Sequence, residues 1–143
     1  MANHERKTIM DTRKMNDEYS EIGADLIATE PSLTLLRDCQ ATIVFLSSEH
    51  EKKSKRKLVL GECEKVPEKY KWAVPADFII TLFEPNVERM NPEQIRQVIF
   101  HELLHVGIAK DGNEESYFIM PHDVEDFKEC IDRFGFDWGR VIL

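Results

Sequence analysis

Two histidines four residues apart, with a glutamate directly after the first, are the most chemically specific feature of this 143-residue chain: His101-Glu102-Leu103-Leu104-His105. On a helix that spacing puts both imidazoles on one face, where two ring nitrogens can ligate one cation. Glu102 then sits where its carboxylate reaches a water on that cation without ligating it, the position of a general base. So short a pattern also arises by chance on surface helices. Here Val98, Ile99, Phe100, Leu103, Leu104 and Val106 surround it with apolar side chains, so the helix is expected to be substantially buried. Two histidines and a carboxylate carried towards a core need partners there, and a metal supplies them. The expected ion is zinc, one per chain.

A catalytic zinc site needs a third protein ligand and one open position. His122, Asp123, Glu125 and Asp126 lie downstream, with Glu114 and Glu115 nearer the motif. His122 follows Pro121 and opens an expected last helix, a fixed point from which a ligand can be held rigidly. Glu125, one helical turn on, would give a His-His-Glu set instead. His122 is the expected third ligand and Glu125 the alternative. Glu125 or Asp126 could also orient a ligating histidine from behind. Tyr117 is a candidate oxyanion donor and Tyr70 a weaker one. Cys63 raises a Cys-His-His site of the kind peptide deformylases use, but their glycine-rich segment is missing and His122 would lose its role. Cys63 is therefore read as a half-buried free thiol.

The elements that must position these groups follow from periodicity. From Asn16 a helix is expected, with Tyr19, Ile22, Leu26 and Ile27 on one face, interrupted at Glu30-Pro31-Ser32 and followed by a short helix from Leu33 to Asp38. Ala41 to Leu46 is β-branched and apolar, Lys57 to Val66 is a second expected strand, and Asp77 to Phe83 the strongest. If the Asp77 to Phe83 strand lay at a sheet edge near the site, it could hold an extended peptide by strand addition. Asn91 and Pro92 are the cap and first residue of the motif helix, which is expected to run through Val106 with Gly107 near its end. Gly112-Asn113 reads as a loop, and a last helix is expected from about Asp123 to Phe134. The order α-α-β-β-β-α-α implies an α+β fold, a small mixed or antiparallel sheet with helices on one side. Residues 1–15 are expected to be a polar, flexible lead-in, and 16–143 a single domain.

Composition narrows the partners. A hydrophobic fraction of 42% with 32% charged residues belongs to a folded domain, and a net charge of −8 argues against general nucleic-acid binding. The basic run Lys52-Lys53-Ser54-Lys55-Arg56-Lys57 is read as a solvated face, and Trp72 and Trp138 as core or rim packing. Three scattered cysteines, a polar start from Met1 to Tyr19 and no long apolar stretch point to the cytoplasm, with no membrane partner.

The segment from Val98 to Gly107, followed by Pro121-His122-Asp123-Val124-Glu125-Asp126-Phe127, resembles the phage metallopeptidase family. The likeness extends upstream to Leu60 to Val66 and Asp77 to Ile80, and downstream to Arg133 to Trp138. The His-Asp-x-x-x-Phe element is also similar to the SprT-like and WLM peptidases, in which the histidine before such a helix is the third zinc ligand. The resemblance implies a zincin-like minimal metallopeptidase acting on a peptide or protein, with His122 on the metal and Glu125 in an orienting role. Two other classes stay open: a non-catalytic, zinc-stabilised interaction module, and a zinc amidohydrolase acting on a non-protein or terminal amide.

Overall fold

The computed structural model describes residues 12–123 together with Glu129, Asp132 and Arg133. Strand β1 (Arg13–Met15) leads into helix α1 (Asp17–Thr29), and a 3₁₀ turn at Pro31–Leu33 opens helix α2 (Thr34–Cys39). Strand β2 (Ile43–Ser48) is followed by a small hairpin of β3 (Lys53–Ser54) and β4 (Lys57–Leu58), then by β5 (Gly61–Lys65) and β6 (Phe78–Phe83). A single turn, α3 (Glu84–Val87), precedes the motif helix α4 (Pro92–Leu104) and a hairpin of β7 (Val106–Asp111) and β8 (Glu114–Ile119).

The main sheet has the order β1-β2-β6-β5. β2 and β6 pair in parallel while both outer pairs are antiparallel, so the sheet is mixed. Side chains alternate across it. Phe78, Ile80 and Leu82 are fully buried at 0% exposure, and Ile80, Leu82 and Phe45 join Tyr19 and Leu26 of α1, Leu36 of α2, and Val98, Ile99 and Leu103 of α4 in one core. The helices thus cover one face of an α+β sheet, as expected. On the other face the Arg13 guanidinium lies 5.5 Å over the Phe83 ring and donates to Thr81 Oγ1 at 3.0 Å and Glu62 Oε2 at 3.3 Å.

Both expected helix starts have working caps. The Asn16 side chain accepts from the Tyr19 N–H at 2.9 Å. At α4 a full capping box forms: Asn91 Oδ1 accepts from the Gln94 N–H at 2.8 Å, and Gln94 Oε1 accepts from the Asn91 N–H at 2.9 Å, with Pro92 in the first turn.

Several expectations are corrected. Arg13–Met15, assigned to the lead-in, pairs with β2 as the sheet's first strand. β6 is interior, flanked by β2 and β5, so its backbone is already paired and cannot add a peptide strand. Its near-continuous apolar run, rather than a strict alternation, is the mark of a strand covered on both faces. Helix α4 ends at Leu104, and Val106 and Gly107 belong to β7. Trp72 is 86% exposed instead of packed. Of the expected last helix, Asp123, Glu129, Asp132 and Arg133 are described, and the last three are helical. Val124 to Lys128 and Trp138 lie outside the described residues. No described helix is long and apolar enough to cross a membrane.

Candidate metal centre

The site is assembled where α4 stops. His101 is exposed on the last full turn, and His105, at φ −76° and ψ −12°, is the residue on which the helix ends. The chain then runs out along β7, turns at Gly112 with φ +67°, and returns along β8 in register Val106↔Ile119. That register puts Met120 beside His105. The Met120 N–H donates to the His105 carbonyl at 2.7 Å, and His105 Nδ1 donates to the Met120 carbonyl at 2.6 Å. A carbonyl only accepts, so the proton of a neutral His105 is on Nδ1 and its Nε2 lone pair is free to ligate. Two residues further on, His122 brings its Nε2 to 3.1 Å from Nε2 of His101.

One ligand atom from each of His101, His105 and His122 lies within 4.8 Å of the others. The ring centroids are 4.5–5.1 Å apart. Two nitrogens on one tetrahedral zinc, each at about 2.0–2.1 Å, stand about 3.3 Å apart. The 3.1 Å between His101 and His122 is close to that, and it would also suit a hydrogen bond between two rings. A hydrogen bond, however, accounts for two imidazoles and leaves a third facing them. Partial burial of its ring, then His105, then His122, lowers the His101 pKa, which favours the neutral, ligating form. The donor set therefore fits a borderline-soft divalent ion such as zinc. Among the described residues these three histidines are the only such group; Cys63 is not part of it.

Glu102 is buried, unlike its exposed neighbour His101. It is 5% exposed and packs on β5, where a Cβ added to Gly61 would stand 3.3 Å from Glu102 Cγ and 3.4 Å from Oε2. Burial pushes the Glu102 carboxyl up to about 7, against the pull of His105 and with a further push from Glu62. A cation held by the histidines would draw it back down. Two cavities meet at the centre. One, of about 370 Å³, lies between α2, the end of α4 and the Met120-Pro121 segment and includes all three histidines. The other, of about 550 Å³, lies between Leu58-Val59-Leu60-Gly61 and α4 and includes His101, Glu102 and His122.

Over residues 13–143 the chain matches the model of the family described as "Putative phage metallopeptidase". The chain belongs to this family. No curated protein and no solved structure matches it. Membership in the phage metallopeptidase family supports a metallopeptidase function, and with it a metal and a peptide or protein substrate.

The other residues singled out in this phage metallopeptidase fall in different places. Asp123 is exposed at the rim of the smaller cavity. Glu125 and Asp126 lie outside the described residues. Tyr117 packs on Phe78, with ring centroids 5.6 Å apart and Lys71 Nζ 5.5 Å over its ring, and lines neither cavity. Tyr70 is half exposed under Lys69. Glu114 and Glu115 sit at the turn end of the hairpin, away from His105. Burial, then Glu102, then Glu64, pushes the Cys63 thiol up to about 12, so it is a poor thiolate ligand. Lys52 bonds Glu62 at 2.6 Å, and the rest of its basic run is exposed on the β3-β4 hairpin. Two further contributors are Gly61 and the β7-β8 hairpin. Gly61 had no signal beyond being a glycine in a strand pattern. The β7-β8 hairpin did have one: Gly-Asn between a Val/Ile run and a Tyr-Phe-Ile run.

Proposed function

We propose that the chain is a zinc-dependent peptidase in which His101, His105 and His122 hold one zinc ion and Glu102 is the general base. The observation that carries the reading is the convergence of three histidines from two elements on one point, with a buried carboxylate on the next residue of α4. Bound there, zinc supplies Lewis acidity, lowering the pKa of a water to about 7 and polarising the scissile carbonyl. Glu102 takes the proton from the attacking water at its carboxylate and returns it to the amine nitrogen as the C–N bond breaks. Close packing against Gly61 limits its rotamers, so the carboxylate is held ready rather than ordered during the reaction. His105 keeps its tautomer through the Met120 carbonyl. Glu125 and Asp126 are proposed to orient the ligands, and the cytoplasm is proposed as the compartment, since free Cys39 and Cys63 thiols suit a reducing environment.

The test is zinc content and peptide hydrolysis of the wild type beside Glu102→Ala and His122→Ala. The wild type should carry about one zinc per chain. Glu102→Ala should keep the metal and lose hydrolysis, whereas His122→Ala should lose both. Full metal retention in His122→Ala would move the third ligand elsewhere, and a folded wild type that takes up no metal would sink the reading.

A further inference from the structure

Beyond the chemistry of the centre, the two cavities bear on what it cuts. They share His101 and His122, so the centre stands at their junction. The smaller is walled by Leu33, Leu36, Val106, Ile108 and Pro121 with Ser32, and the larger by Val59, Leu60, Met90 and Val98 with the neutral amides of Gln94 and Gln97. Large apolar side chains are also left in solvent at their edges. Leu35 is 54%, Leu104 44% and Met120 40% exposed beside the first cavity, and Leu58 is 51% exposed beside the second. Apolar surface gathered around a reactive centre gains free energy only when a ligand covers it.

The charges around the cavities are as informative. Among the described lining residues there is no lysine or arginine; the only carboxylates are Glu102 and Asp123. A carboxypeptidase needs a fixed cation for the terminal carboxylate, and none is among the described residues of either wall. A small terminal amide would fill one side of the centre and leave the other apolar cavity empty.

We infer that the two cavities take side chains on either side of the scissile bond, making the protein an endopeptidase for internal bonds flanked by large apolar residues. The inference rests on the peptidase reading above. The bond broken is an amide C–N, with water supplying hydroxyl to the acyl carbon and hydrogen to nitrogen. Bonds between large apolar residues are normally buried in folded proteins, so the substrate is an extended or unfolded segment.

The test uses zinc-treated Glu102→Ala protein and fluorescent peptides blocked at both ends, with binding read by anisotropy and zinc content measured on the same sample. A peptide with Leu-Leu at its centre should bind roughly tenfold or more tightly than versions with lysine or glutamate at either central position, because an unpaired charge in an apolar cavity is costly. Leu35→Glu and Leu58→Glu, both at exposed rim positions and so harmless to folding, should each weaken the Leu-Leu peptide. Each should also improve the lysine peptide of its own side only, which assigns each cavity to one side of the bond. Equal binding of charged and apolar peptides, tighter binding of free-ended dipeptides, or no peptide binding to folded, zinc-loaded protein would overturn the inference while leaving the metal site standing. Apolar selectivity in a folded protein that holds no zinc would uphold the cavities and overturn the peptidase reading instead.

Discussion

His105 and Met120 hold each other by two hydrogen bonds: the Met120 N–H donates to the His105 carbonyl at 2.7 Å, and His105 Nδ1 donates to the Met120 carbonyl at 2.6 Å. The pair closes the mouth of the β7-β8 hairpin on the end of α4. It sets the tautomer of one candidate ligand and, through Pro121, the position of another. Whatever loosens this clasp should be felt at His105 and His122 together.

Met120→Pro removes the N–H while leaving an exposed apolar residue in place. Zinc affinity, measured by competition with a chromophoric chelator, should fall about tenfold or more, the range seen when a ligand's supporting contact is lost. Secondary structure should be retained. Unchanged affinity would mean that the clasp does not position the ligands.

Gly61→Ala tests the support of Glu102. The new Cβ would stand 3.1 Å from the Thr81 carbonyl oxygen and 3.3 Å from Glu102 Cγ. The sheet backbone cannot yield, so the carboxylate must. Hydrolysis should drop at least about tenfold in kcat/KM, as small misplacements of a catalytic group do, with zinc content unchanged. Parallel loss of zinc would show that the substitution acts on the whole centre instead.

Helix α1 approaches β2 closely at Gly23, where a Cβ would lie 2.3 Å from Phe45 Cζ. Phe45 is 5% exposed and has little room to move. Overpacking of this kind costs about 1–3 kcal/mol and alanine returns roughly 1 kcal/mol of helix propensity, so Gly23→Ala should destabilise the fold by up to about 2 kcal/mol net. Adding Phe45→Leu should recover part of the loss in urea unfolding. A Gly23→Ala protein as stable as the wild type would show that the ring gives way freely.

The link between β6 and β2 carries a pH dependence. Burial acts to raise the Asp77 carboxyl, but the Thr42 N–H at 2.8 Å and Lys71 at 2.9 Å outweigh it, and the Asp77 pKa falls below its ordinary value. A carboxylate with a lowered folded pKa adds stability that is fully present above the unfolded value of about 3.9. That contribution is lost as pH falls through the folded value. Asp77→Asn should cost about 1–3 kcal/mol at neutral pH, and its stability should depend less steeply on pH below about 4 than that of the wild type. Identical acid limbs for the two proteins would rule out Asp77 as a contributor.

Much of the scaffold could be read because it depends on local pattern. Asn91, Pro92 and Gln94 specify a helix start through their own backbone chemistry, and the spacing of His101 and His105 makes them neighbours on any helix. Val98, Ile99 and Leu103 announce the buried face of that helix, and Phe78 to Phe83 a strand, though not its interior place between β2 and β5. The type of fold and the two motif histidines need no long-range information.

What joins them does. His122 stands out as a candidate through Pro121 and the family resemblance, but its meeting with His101 depends on how far a hairpin carries the chain out and back. The helical pattern through Val106 looked continuous because apolar spacing alone does not say where a helix stops; pairing of Val106 with Ile119 stops it. The demand for a glycine at position 61 likewise comes from Glu102, a residue on another element. Tyr117, near the motif in sequence, is turned by its strand towards Phe78 instead of the histidines. The sequence by itself thus determined which groups can do chemistry and where α1, α2, α4, β2 and β6 lie, but not β1 or the β7-β8 hairpin, because propensity, capping and periodicity act over a few residues. Tertiary structure alone decided which groups converge and where the cavities lie, because strand register and helix ends are settled by pairing between distant segments.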